Sequence, residues 1–428
     1  MSAPTRKHQA GIFMGKSGQA VGQLTYVKDG AREYSSFTYD SAWLGDPARF
    51  EVSPDLPLLA GHQTRRAPSR DDSCFHLGLA DTEPDAWGRR VIARTHAKER
   101  KNNPHLLALN AFDYLTAVDD FSRMGALRLR SSSGQFLQTV DEGKRCTPPM
   151  MDLQKIFESS RTVETGNETA EDLKYLQGKG TSLGGMRPKC TVLDVDGALA
   201  IGKFPSLMDE RNVTREEVLA LHLAQRAGVE AAASRIVQVG GVTVAVIRRF
   251  DRTPDHGRIP YLSAASMLQS ARHEDRSYTE IADVIRAKCA RPTADVQQLW
   301  RRLVFNLLIS NVDDHLQNLG FLHEGQGKWR LAPHFDVNPF PDKDRESKTW
   351  LSEDTGPITS LGMLMDKASY FSLRPHEARQ VLGEVYTAVR DWRAVALSAD
   401  VGMQVKELDG FAPAFEHADM DAARALLG

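Results

Sequence analysis

The chain is poor in cysteine, nearly without net charge and free of long apolar runs, and each shortage removes a class of function. Its four cysteines in 428 residues, Cys74, Cys146, Cys190 and Cys289, stand far apart and never in CxxC spacing. Neither a disulfide framework nor a zinc site is implied, and idle thiols are expected. With 54 Lys and Arg against 56 Asp and Glu, the formal net charge is −2, which gives no overall pull toward nucleic acid or an anionic membrane. No stretch approaches the ~18 consecutive apolar residues of a membrane span. Met1 to Gly18 carries early Arg and Lys but no apolar core of signal-peptide length. These absences predict a cytoplasmic location. Internal repeats and low-complexity segments are also missing, while a 41% hydrophobic fraction leaves room for two or three domains with substantial cores.

What is present is organised around Ser310 to Asp336, SNVDDHLQNLGFLHEGQGKWRLAPHFD. Before it, Leu299, Leu303, Phe305, Asn306, Leu307 and Ile309 lie in a mostly apolar run long enough for a buried helix. A polar loop, Asn311 to Asn318, follows. Leu319 to Leu322 and Trp329 to Ala332 then read as two short strands joined by a glycine-bearing turn. A hairpin brings its ends together, so Asn318 and Asp336 become spatial neighbours, with Asp313 in the adjoining loop. Two carboxylates and an amide around one small volume suit phosphoryl transfer, which needs positioning and charge neutralisation more than covalent chemistry. A loop Asp takes the acceptor hydroxyl proton, and Asn with a second Asp holds a hard, oxygen-liganded cation such as Mg²⁺ against the nucleotide phosphates. The step from Asp313 to Asn318 is five residues, the spacing of the protein-kinase catalytic loop. His315 beside Asp313 and Asp314 also admits a transition-metal or metallophosphatase site, but no second His/Asp cluster at ligand spacing supports it.

A second informative stretch is Gly178 to Lys189, GKGTSLGGMRPK, with four glycines and three cations in twelve residues. Thr191 to Val195 and Leu199 to Phe204 follow as strand, turn and strand. Glycines let backbone N–H groups converge on phosphate oxygens, with Arg187 or Lys189 adding charge, and Lys203 is placed to reach the same phosphates. The alternative is a flexible surface turn. Gly180 to Gly184 also matches the GxSxG nucleophile elbow, but the elbow needs a strand before Ser182 and a helix after it, and this chain offers the reverse. GIFMGKS, Gly11 to Ser17, resembles a Walker A loop and fails, because three residues rather than four separate its glycines.

The remaining chain supplies the frame. Gln23 to Val27 and Ser35 to Tyr39 suggest a small sheet. Pro84 to Lys98 reads as a helix with Trp87, Val91 and Ile92 on one face, and Arg89, Arg90 and Arg94 as a solvated face rather than a nucleic-acid site. Asp113 to Val118 and Gly125 to Leu129 follow as a helical turn and a strand. Ser131 to Pro149 is polar with Gly and Pro, a boundary. Thr214 and Glu217 read as a capping box before a helix ending at Gly228, with pairing of Glu217 to Lys203 as the alternative role. Thr243 to Phe250 is a strand running into VIRRFDR. Ala378, Val381, Leu382, Val385, Val389 and Trp392 recur at helical spacing.

PDAWGRR, TSLGGMRPK, RRFDR, NVDDHLQN and HFDVNP together resemble the HipA family of bacterial toxin serine/threonine kinases, in family order and over nearly the whole chain. The resemblance implies an α+β, bilobal protein-kinase-like fold: an N-terminal α/β accessory domain at 1–145, a sheet-bearing lobe with the phosphate loop at 146–255, and a largely helical lobe with the catalytic loop at 256–428. It implies Mg-ATP-dependent protein phosphorylation with Asp313 as base and Asn318 and Asp336 as metal ligands. Gly184, Gly185, Met186, Arg187, Lys189, Lys203, Arg248, Arg249, Phe250, His315, Gln317 and Phe335 would surround ATP, residues 248–250 through backbone groups. Ser182 matches a loop serine that such kinases autophosphorylate, a dianion that would repel ATP from a phosphate loop. The implied partners are a small helix-turn-helix, HipB-like antitoxin, DNA only through that antitoxin, and a translation protein such as an aminoacyl-tRNA synthetase as substrate, with no membrane. Arg248 stands where the family often has Glu, and RPK where some members have QEK. A corepressor with a silent kinase fold is the competing reading, and the presence of all three chemical residues argues against it.

Overall fold

A computed structural model describes residues 5–138, 152–177, 187–342 and 346–428. Gly184, Gly185, Met186, Ser182 and Cys146 lie outside the described residues. The chain forms two compact units, one built from 1–208, 249–262 and 325–327, the other from 209–248, 263–324 and 328–428.

In the first unit, β1 (Arg6–Met14), β2 (Gln19–Asp29), β3 (Arg32–Tyr39), β4 (Gln63–Arg66) and β5 (Leu127–Arg130) form an antiparallel sheet in the order β4-β3-β2-β1-β5. Alternation buries Ala10, Ile12 and Met14 on β1 and Ser35, Phe37 and Tyr39 on β3. On β2 the period slips: Ile12 pairs with Gly22 and Phe13 with Ala20, leaving Val21 as an extra residue. Val21, Leu24 and Tyr26 are therefore the buried set. Gly22 is required beside this bulge, since a Cβ there would lie 2.4 Å from Thr38 O.

The helix expected from Pro84 is α1 (Ala86–Asn102), capped by Asp85 accepting from Gly88 N at 2.7 Å and burying Trp87, Val91 and Ile92. Of its arginines, Arg90 is exposed as expected, while Arg89 and Arg94 are partly covered by partners. Arg89 pairs with Glu83 and lies over the Tyr114 ring, Arg94 pairs with Glu168 at 2.8 Å, and Arg90 reaches Val163 O. Next, α2 (Ala111–Ala117) starts at an Asn110/Asp113 capping box. The hairpin of β6 (Lys189–Leu193) and β7 (Leu199–Lys203) turns at Gly197, φ 80°, and sets Lys189 opposite Lys203.

RRFDR closes this unit internally. Asp251, 1% exposed, accepts from Arg249 at 2.5 and 2.8 Å, from Arg252 Nη1 at 2.6 Å and from Gly125 N at 2.7 Å. Arg249 also donates to the Ser122 and Arg123 carbonyls, and Arg258 and Arg128 share Asp120. Burial by itself would raise the Asp251 carboxyl, but the two guanidinium charges overcome this and hold it well below the usual carboxylate range.

In the second unit, α3 (Val213–Arg226) begins one residue before the proposed capping box, with Asn212 at the N-cap and no side-chain cap bond. Thr214 instead donates to Asn212 Oδ1 at 3.0 Å and is buried, so Thr214 and Glu217 lie within the first turns and the expected box does not form. Hairpin β8 (Ser234–Val239) and β9 (Val242–Arg248) turns through Gly240 and Gly241, both at positive φ, as a two-residue loop demands. The apolar stripe from Ala378 lies on α6 (Pro375–Arg390), preceded by α4 (Tyr278–Lys288) and α5 (Pro292–Leu308). Here α5 is the buried helix foreseen before the Asn311 to Asn318 loop, with Pro at its first turn and Leu299, Trp300, Leu303 and Phe305 in the core. The expected hairpin is β10 (Gly320–Gly325) with β11 (Lys328–Leu331).

Candidate active site

The site is built from the C-terminus of α5 outward. Asn311 N donates to Asn306 O (2.8 Å) and Ser310 N to Leu307 O (3.2 Å), a Schellman arrangement that turns the chain out of the helix. The residue at the left-handed position is Ser310, φ 52°, rather than glycine. Such strain persists only where its surroundings over-determine it. Ser310 Oγ donates to Ala414 O, and Ser310 O accepts from Phe340 N at 3.1 Å.

That last bond ties the segment after β11 to the helix end. Asn311 Oδ1 accepts from Asn338 N at 3.3 Å, while Asn311 Nδ2 and His334 Nε2 converge on Asn306 Oδ1 at 3.2 and 2.9 Å. Burial, and after it the Arg302 charge, holds the His334 imidazole well below its usual value, so it is neutral. Arg302 donates to Ala332 O at 2.8 Å. Between these anchors Asp336 stands at φ 54°, a second non-glycine in the left-handed region.

Within the loop, a 3-10 turn, Leu316–Asn318, swings Asn318 back so that its Nδ2 donates to Asp313 O at 2.9 Å. The loop Asp and Asn are thereby joined, and the amide oxygen of Asn318 is directed away from that bond. Asn318, Asp336, His315 and Phe335 line one open cleft, together with Asp314. Asp313 itself is half-buried and receives an ion pair from Lys348 Nζ. His315 Nδ1 is buried with no hydrogen-bond partner among the described residues, and Gln317 is exposed.

Sequence reasoning missed the residue next door. Asp314 is buried, accepting at Oδ2 from Tyr278 OH (2.6 Å) and at Oδ1 from Lys348 N (2.7 Å), while its carbonyl accepts from Thr349 Oγ1 (2.7 Å). Burial pushes its carboxyl up, against the pull of those donors. The doubled Asp of NVDDH was the available signal, as were Arg302 and Asn306 inside an apolar helix. Replacing Tyr278 by Phe leaves Asp314 Oδ2 without its donor and is expected to cost about 2 kcal/mol, read as a lower urea midpoint. An unchanged midpoint would show that the bond contributes nothing net.

The nucleotide-side candidates are placed as follows. Lys189 is buried with its ammonium 3.0 Å from Asp85 Oδ2, which links PDAWGRR to the strand after the glycine loop. Lys203 is half-buried and Arg187 exposed. Arg248 is exposed, with its N–H donating to Ala233 O at 2.8 Å. The Arg249 side chain is taken up by Asp251, so any ligand contact from it falls to the backbone, and the Phe250 ring packs near Tyr261.

Comparison with known proteins gives these stretches a common origin. Residues 13–119 match the HipA N-terminal domain, and residues 181–392 match the HipA-like C-terminal domain. The chain belongs to the HipA family. A chain of the Shewanella oneidensis complex of HipA, HipB and operator DNA superposes with a TM-score of 0.68 at 16% identity, over 98% of this chain and 96% of that one. This HipA-family chain therefore has the mixed helix and sheet fold of HipA. Among sequence relatives, "Putative kinase Y4mE" of Sinorhizobium fredii is 24% identical over 349 residues, 75% of each chain. Y4dM of the same organism is 26% identical over 156 residues, 33% of this chain and 37% of its own. Among the described residues of this HipA-family protein, no helix is long and apolar enough to cross a membrane.

Proposed function

We propose that this protein is a serine/threonine kinase, the toxin of a toxin–antitoxin pair, that transfers the γ-phosphoryl group of Mg-ATP to a protein hydroxyl. The observation that carries the reading is the joining of Asp313 and Asn318 in one loop, with Asp336 on a strained turn anchored to that loop by Asn311 and Ser310. Asp313 accepts the acceptor hydroxyl proton. The amide oxygen of Asn318 and the carboxylate of Asp336 hold Mg²⁺, and the hard-oxygen character of both donors fits that ion. Two protein donors suffice for a cation whose remaining ligands come from phosphates and water. Bound there, Mg²⁺ neutralises nucleotide phosphate charge. His315, with its unpartnered Nδ1, Gln317 and Phe335 are the nucleotide contacts this reading takes from the loop and hairpin.

The Shewanella complex, which contains HipB and operator DNA, supports a HipB-like DNA-binding antitoxin as partner here. For the acceptor we favour a translation protein of the aminoacyl-tRNA synthetase class. Ser182 is the proposed self-inactivation site, because a phosphate there competes with ATP for a loop suited to phosphate.

Peptide mass spectrometry before and after Mg-ATP tests the reading. The expected result is phosphate gained on Ser182, with Ser182→Ala sustaining ADP release that the parent loses over time. No gain and no pre-existing phosphate, with ADP release equally absent, would overturn the kinase reading in favour of a corepressor role.

A further inference from the structure

We propose that Lys348 is a further catalytic residue, its ammonium neutralising the phosphoryl group as that group passes to a hydroxyl held on Asp313. The proposal rests on the kinase reading above. Lys348 Nζ is ion-paired with Asp313 Oδ1, and the two side chains are 54% and 30% exposed. At such exposure an ion pair is ordinarily a solvated contact of little consequence. What sets this one apart is how its backbone is held.

Asp314, buried directly beside Asp313, receives Lys348 N at Oδ1 while Tyr278 OH holds Oδ2. Thr349 Oγ1 donates to the Asp314 carbonyl, and Ser347 Oγ donates to Thr349 O at 2.6 Å while accepting from Ile358 N at 2.7 Å. Trp350 N donates to Arg276 O at 2.9 Å. The root of Lys348 is thus fixed to the loop that carries Asp313 by a chain of bonds through a buried carboxylate. Its tip remains in solvent on a flexible four-carbon stem. A fixed root and a half-exposed, ion-paired tip confine the ammonium to the space around one carboxylate while its flexible stem lets it follow a charge that moves.

The reaction supplies such a charge. The acceptor oxygen forms a new bond to the γ-phosphorus, the bond from that phosphorus to the β,γ-bridging oxygen breaks, and its electron pair leaves with ADP. The hydroxyl proton goes to Asp313. An anionic phosphoryl group therefore approaches an anionic base, and each repels the other unless a cation stands between them. Lys348 on Oδ1 leaves Oδ2 for the hydroxyl and places a cation beside the path of transfer.

The experiment uses the full chain, with Lys348→Met and Lys348→Arg, reading ADP release from Mg-ATP together with calorimetric binding of MgADP, alone and with aluminium fluoride as a mimic of the transferring group. For Lys348→Met we expect kcat to fall about 100-fold with KM for ATP unchanged. MgADP affinity stays at the parent value, but the additional affinity conferred by aluminium fluoride is lost. Lys348→Arg restores kcat to within about tenfold of the parent by keeping the charge. A faster Lys348→Met protein would overturn the proposal by making the pair a latch on the base. Unchanged kcat or retained aluminium-fluoride affinity would overturn it by making the pair a solvated contact. A parent protein that neither binds MgADP nor releases ADP is a separate outcome, overturning the kinase reading and this proposal with it.

Discussion

Asp313→Ala is expected to slow ADP release from Mg-ATP by about 10³-fold, the middle of the range for removing a positioned general base and equivalent to about 4 kcal/mol of barrier. The fold should survive, because Asp313 is half-buried and its side chain's ion-pair partner, Lys348, is more than half exposed, a kind of pair that contributes no more than about 1 kcal/mol. The loop is held by other bonds. Asn318 Nδ2 donates to the backbone oxygen of Asp313, which alanine keeps, and Asp314 retains Tyr278, Lys348 N and Thr349. The measurement is kcat beside the urea midpoint of the same preparation. Transfer at the parental rate would remove Asp313 from the mechanism, and a collapsed midpoint would make the lost activity a folding defect.

The largest stability effect is expected far from this loop in sequence, at Asp251. Replacing it with Ala leaves Arg249 and Arg252, with side chains 1% and 3% exposed, buried beside each other without their shared carboxylate. Breaking a buried ion pair from one side costs about 3–5 kcal/mol, and Gly125 N loses its acceptor as well. The same group sets a pH dependence. Because its carboxyl is held well below the ordinary value, the stabilisation is complete above the unfolded-chain pKa of about 4 and is lost as pH falls from there through the folded value. Urea midpoints at pH 5 and pH 3 should therefore differ more for the parent than for Asp251→Ala. Equal slopes would show that Asp251 is not the titrating group, and an unchanged midpoint at pH 7 would show that the cluster is not what holds this unit.

Much of the frame was legible in the sequence because it is local. The helix before the loop, the glycine-turned hairpins and the Asp85-capped helix follow from periodicity and turn chemistry over a few residues. The errors have local causes too. Thr214 and Glu217 fit a capping pattern that the helix defeats by starting two residues earlier, with Asn212 at the N-cap. Arg89 and Arg94 looked solvated because their partners, Glu83 and Glu168, do not share their helical face. Arg249 was expected to meet a ligand through its backbone alone, and its side chain is bound instead to Asp251 and to the Ser122 carbonyl, partners the sequence did not single out.

The sequence by itself determined the chemical inventory: a loop Asp five residues from an Asn, a hairpin returning to a second Asp, and a family signature spread over nearly the whole chain. Those properties are carried by residue identity and spacing, and no packing can add or remove them. Only the tertiary structure decided which of two adjacent aspartates stays half-exposed on an ion pair with Lys348 and which is buried as a scaffold. Asp313 and Asp314 are the same residue type one position apart. Tyr278 lies 36 residues away from Asp314 and Lys348 lies 34, and contacts at that separation depend on how helix, loop and hairpin pack. Burial and hydrogen bonding, not composition, make one carboxylate available for chemistry and the other a fixed support.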